Sequence, residues 1–163
     1  MTANERIGLI RVKVARAYHH IEQLEGRIKT FLDSEPYKVG IKPHPELPGA
    51  THHYLASAKP VVRGIPVIAG EALQQTRSAL DHLAWHLVEI GCAKQGIVLS
   101  STEQKRIGFP IIDTDSPTEY EASRKRKVKG MTQAAVDVID KIKPYKGGND
   151  LLWKLNQLNN IDK

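Results

Sequence analysis

Arg77 and His82 stand five residues apart in the run GEALQQTRSALDHLAWHLVE, residues 70–89, and no other stretch of the 163-residue chain suggests chemistry so clearly. A guanidinium can stabilise negative charge on a phosphorus centre, and an imidazole can move protons near neutral pH. If the run is one helix, the two Cα atoms lie roughly 140° apart around its axis and about 7.5 Å apart along it. The side chains then share a hydrogen-bonded partner only if both bend toward a third body. A bound phosphate, or the same helix of a second copy, would supply that body.

Other residues of the run frame this pair. On a helical wheel Leu73, Leu80, Leu83, Ala84 and Leu87 form one apolar arc, expected to face the core. Gln75, Ser78, His82, His86 and Glu89 gather on the opposite side, expected to meet solvent, a partner or a ligand. Asp81 lies four residues after Arg77, the spacing of an ordinary surface ion pair. His82, His86 and Glu89 also have the spacing to reach one metal ion from a single helix, with further ligands from elsewhere. Trp85 reads as a packing or interface residue. Pro66 and Gly70 are the candidate starts of the helix and Gly91 its candidate stop.

The elements around it follow from patterning. Ile7, Ile10, Val14, Ala17, Ile21, Leu24, Ile28 and Phe31 recur at alternating steps of three and four, a 3.5-residue period. It predicts one long helix over residues 4–32, either the outer helix of an intramolecular bundle or half of a two-stranded coil. YKVGIKP and THHYLASA, separated by a segment with three prolines, read as two short antiparallel strands at the periphery, a hairpin over about residues 36–58. SPTE, residues 116–119, is a capping-box pattern with proline in the first turn, so a short helix is expected from Pro117 to about Lys127. Thr132 caps a further segment striped by Ala135, Val138, Ile139 and Ile142. Leu151, Leu152, Leu155, Leu158 and Ile161 stripe a last helix.

Composition bounds the class. Length and 40% apolar content suit one domain over residues 1–163, a mainly α helical bundle with a long N-terminal helix and a small inserted antiparallel β-hairpin. The net charge of +6 permits polyanionic partners without requiring one. Cys92 is the lone cysteine, which removes any internal disulfide and points to a reducing compartment. The N-terminus carries Glu5 and Arg6 where a secretory core would be apolar, and no uncharged apolar run approaches membrane-spanning length. A cytoplasmic protein that does not enter the membrane is expected. The basic run RKRKVK, with Arg124, Lys125, Arg126, Lys127 and Lys129, is a candidate RNA-backbone surface, or a solvated helix end whose cations suit the C-terminal dipole. The chain stops at NNIDK with no polar tail, which reads as a cut.

Arg77-Ser78-Ala79-Leu80-Asp81-His82, an arginine, four residues and a histidine in an otherwise helical chain, resembles the signature of HEPN domains, small helical dimers of many prokaryotic defence and toxin systems. AGEALQQTRSALDHLAWHLV, FPI at residues 109–111, IDKIKPY at 139–145 and LLWKLNQLNNIDK at 151–163 are together similar to a family of bacterial and phage-associated proteins with no established activity. That likeness covers residues 69–163. The HEPN resemblance implies a homodimeric, RNA-binding, metal-independent ribonuclease with no cofactor and with a site composed at a two-fold interface. It further implies a toxin-antitoxin, defence or phage-related setting, with an antitoxin protein as a further partner. Arg77 and His82 would be catalytic there, with Ser78, Asp81, His86 and Glu89 supporting. Two rivals stand beside it: a non-catalytic dimeric helical interaction protein built on the 7–31 heptads, and a metal-dependent enzyme using His82, His86 and Glu89.

Overall fold

A computed structural model describes residues 2–161. The chain is mainly α, with the order α1 (Ala3–Asp33), β1 (Tyr37–Pro43), β2 (Thr51–Ala58), α2 (Gly64–Gln95), α3 (Ser101–Gln104), α4 (Pro117–Lys127), α5 (Gln133–Ile142) and α6 (Asp150–Ile161). Two compact units divide it: residues up to Tyr18 together with those from Gly70 onward, and His19–Ala69.

The long first helix is observed as its period predicts. Thr2 and Glu5 open it reciprocally, with Thr2 N donating to Glu5 Oε2 at 2.6 Å and Glu5 N to Thr2 Oγ1 at 3.3 Å. Glu35, at φ 48°, and Pro36 end it, the first leaving the helical backbone region and the second unable to rejoin it. The heptad stripe is unevenly covered. Ile7, Val14, Ile21 and Ile28 remain 39–40% exposed, while Ala17, in the other heptad position, is buried.

In the smaller unit, β1 and β2 pair antiparallel as a two-stranded sheet, with the register interrupted between Lys38 and Val39. Every residue of β2 is exposed, so the hairpin is peripheral as the sequence reads. Gly40 leaves room for the Tyr54 ring, which a Cβ there would meet at 2.4 Å. Lys42 Nζ lies 5.2 Å from the centre of the same ring.

The larger unit is organised around α2, which is longer than expected at both ends. Gly91 is not its stop. The helix continues to Gln95 and turns at Gly96, φ 66°, where Ile97 N donates back to the Cys92 carbonyl. Gly91 instead admits another segment: a Cβ there would sit 2.1 Å from the Gly130 carbonyl oxygen and 2.9 Å from Met131 Cα. The core gathers Ala84, Val88, Phe109, Ile111, Val128, Met131, Val136 and Ile139, with Leu80, Leu87 and Leu152 packed against it. Four segments therefore close on one side of α2.

Of the two side-chain caps read in the sequence, one forms in part and the other does not form. Ser116 accepts from Glu119 N, but Glu119 does not complete the box: its carboxylate takes the Thr114 hydroxyl at 2.8 Å, and Thr114 Oγ1 takes Ser116 N–H. A full capping box forms at Ser100 and Glu103 and opens the short α3. Thr132 precedes α5 without a side-chain cap, and Lys143 ends it in the left-handed conformation before buried Pro144. Among the described residues no helix is long and apolar enough to cross a membrane.

Candidate functional site

The wheel of α2 needs one correction. Ala84 is sealed, as expected, but Leu83 is 36% exposed and His86 on the supposed outward face is 7% exposed. Ala72, Ala79 and His86, spaced by seven, are all buried. The helix is covered on more than its apolar arc, so the polar side is partly interior. A single amphipathic wheel assumes one packed face, and α2 has more than one.

A cleft of about 470 Å³ remains along that side. Arg77, Ser78, Asp81 and His82 line it with Gln74 and Trp85 from α2, Arg6 and Leu9 from α1, and Asn159 from α6. The structure thus brings the two predicted catalytic residues to one cavity and adds three polar contributors that sequence reading passed over: Arg6, Gln74 and Asn159. Asn159 is 5% exposed, a burial that comes from packing and has no local signal in the sequence.

Arg77 and His82 behave differently in it. The Arg77 side chain is 12% exposed and clamped. Its Nε and Nη2 donate to Asp81 Oδ2 and Oδ1 at 3.2 and 2.9 Å, and Nη2 also donates to the Phe109 carbonyl at 3.0 Å. Phe109 N–H returns to Asp81 Oδ1 at 2.9 Å. Arg77 Nη1 is buried and finds no hydrogen-bond partner among the described residues. The pair expected as a loose surface contact is therefore the staple that holds the segment at residues 108–110. Gly108 suits the place, since a Cβ would lie 3.0 Å from Asp81 Oδ1, and its N–H donates to the Lys127 carbonyl. His82 is exposed at the cleft.

The supporting residues separate in the same way. Ser78 is half-buried beside the cleft. Glu89 is engaged by Arg6, with Nη1 to Oε2 at 2.5 Å. His86 is packed inside, its Nδ1 without a hydrogen-bond partner. The three side chains of the metal reading do not converge in this arrangement. His82 faces outward, His86 inward, and Glu89 is taken; among the described residues no group of three or more His, Cys, Asp or Glu side chains could hold a metal ion.

The basic run is likewise divided. Arg124 turns in to Asp140, Nη1 to Oδ2 at 3.2 Å, and the same carboxylate accepts the buried Tyr120 hydroxyl through Oδ1 at 2.9 Å. Burial and the Asp140 carboxylate raise the Tyr120 phenol above its usual range. Lys125 pairs with Glu121 at 2.6 Å, and Lys129 with Glu103. Lys127 is half-buried toward Arg77 and Asp81; burial, then the Arg77 charge, lower its ammonium from the usual value. Arg126 is exposed. One member of the run thus reaches the neighbourhood of the cleft, and no continuous cationic ridge forms.

The chain matches no family model, no curated protein and no solved structure.

Proposed function

We propose that this protein is a HEPN-like RNA-binding protein that cleaves RNA without a metal, in a prokaryotic defence, toxin or phage-related setting. The observation that carries the reading is the placement of Arg77 and His82 on one open cleft with a second arginine, Arg6, and with Gln74, Ser78 and Asn159.

The chemistry asks for few groups. The 2′-oxygen of the RNA bonds to phosphorus as the P–O5′ bond breaks, leaving a cyclic phosphate and a 5′-hydroxyl. His82 takes the 2′-hydroxyl proton, and the cationic edge of Arg77 stabilises the oxygens of the crowded phosphorus. Asp81 fixes the guanidinium plane, and the buried Nη1, which has no partner among the described residues, is the donor left for the phosphate. The departing oxygen needs a proton from a second acid. In the dimeric form of the reading this is the other copy's imidazole. Arg126, with Lys125 and Lys129 once released from their carboxylates, supplies sequence-independent contact to the RNA backbone.

The test is cleavage of single-stranded RNA by the purified chain in EDTA. Activity that persists in EDTA and is lost in both Arg77→Ala and His82→Ala supports the reading. Activity lost in EDTA and restored by a divalent ion, or unaffected by both substitutions, removes it.

A second reading, a non-catalytic helical interaction protein, is favoured by the partial exposure of Ile7, Val14, Ile21 and Ile28 along α1. It requires self-association that is lost on Ile21→Asp and no cleavage of RNA by the unmodified chain.

A further inference from the structure

The two edges of the hairpin are unlike. β1, YKVGIKP, carries Lys38 and Lys42 and ends on Pro43, the residues that ordinarily blunt an open edge. β2, THHYLASA, carries neither Asp, Glu, Lys, Arg nor proline, and all of it is exposed. The sheet has two strands only, so the outer edge of β2 has no neighbour among the described residues. The register irregularity leaves Ala56 without a partner between Leu55 and Ser57, which confines the regular open edge to residues 51–55. Across the sheet Val39 pairs with Leu55 and Ile41 with His53, so these four side chains share one face. Val39, Ile41 and Leu55 are 64%, 64% and 59% exposed there. A lone hairpin is marginal in water, whereas more strands with a common apolar face are stable.

We propose that β2 pairs antiparallel with β2 of a second copy of this chain, about a two-fold axis through residues 51–55, to form a four-stranded sheet. Charge decides which edge can do this. Pairing through β1 would set Lys38 and Lys42 against the same lysines of the other copy. Pairing through β2 places the two β1 strands at the outer edges, about 14 Å apart, beyond a screening length of about 8 Å at physiological salt. In a chain of net charge +6, an uncharged edge is where self-association costs least. A two-fold axis normal to the sheet also keeps the faces that carry Val39, Ile41 and Leu55 of both copies on the same side. The inference does not depend on the RNA reading.

Amide hydrogen exchange of the full chain, compared between dilute and concentrated protein, tests it. Exchange at residues 51–55 is expected to slow with concentration while that of α5 stays constant. His53→Lys, at an exposed strand position, is expected to weaken self-association in sedimentation experiments by roughly tenfold or more. A chain that stays monomeric when concentrated overturns the proposal. So does a dimer whose amides at 51–55 exchange as fast as in dilute solution, or one unmoved by His53→Lys.

Discussion

Asp81 accepts through one oxygen, Oδ1, both from Arg77 Nη2 at 2.9 Å and from the backbone N–H of Phe109 at 2.9 Å, while Arg77 donates to the Phe109 carbonyl. A helix surface pair is thereby turned into a clamp on a chain segment some thirty residues away, and the guanidinium is held in one orientation beside the cleft.

The clamp separates structural from chemical roles. Asp81→Ala leaves a mostly buried guanidinium and the Phe109 N–H without their carboxylate. Asp81 is itself 41% exposed, so solvent softens the loss. A destabilisation of about 1–3 kcal/mol is expected. His82→Ala, at an exposed position, should stay within about 0.5 kcal/mol of the unmodified chain. Chemical denaturation of the two variants checks this, and equal losses would contradict the arrangement.

If the chain cleaves RNA, His82→Ala should lower the rate by roughly 100-fold or more, the scale of removing one proton-transfer group. Arg77→Lys should restore little, because an ammonium cannot hold two Asp81 oxygens and the Phe109 carbonyl in one plane. Single-turnover cleavage rates in EDTA give both comparisons. A fully active Arg77→Lys would show that charge alone suffices.

Gly91 and Gly96 should respond differently to alanine. At Gly91 the added carbon would enter the Gly130 and Met131 backbone, which cannot swing aside, so a loss of about 2 kcal/mol or more is expected. At Gly96 nothing lies within 4 Å of the new carbon, and only its φ of 66° is penalised, at about 1 kcal/mol. Thermal unfolding of the two variants ranks them. The reverse order would return Gly91 to the role of helix stop.

Glu103 joins the α3 cap to Lys129. The hydrogen bond from Lys129, then those from the Ser100 backbone and side chain, bring its carboxyl from 4.5 down to about 2. A depressed folded value means that this contribution is fully present above the unfolded value near 4.5 and fades as pH falls through about 2. The difference in melting temperature between the unmodified chain and Lys129→Ala should therefore be constant above about pH 5 and shrink across the acid range. A gap that widens on acidification would contradict the sign. Because Lys129 is exposed, the gap should also narrow in high salt.

What the sequence determined by itself was the local part of the molecule. The period of α1, the alternation and prolines of the hairpin, and Ser116 with Pro117 at the start of α4 are written in residues within a few positions of one another, and the observed elements match them. The Arg77 and His82 pair was also legible, since both lie on one helix. Tertiary structure alone decided the rest. Gly91 reads as a stop unless the Gly130 backbone is known to pass against it. His86 reads as outward unless α2 is known to pack on more than one side. Arg77 reads as a surface cation until Phe109, distant in the chain, takes its donor, and Arg6 and Asn159 join the cleft only because α1 and α6 bring them there. Turn, cap and period signals arise from neighbours a few residues apart. Burial and the partners of a polar group depend on segments whose approach no local pattern encodes.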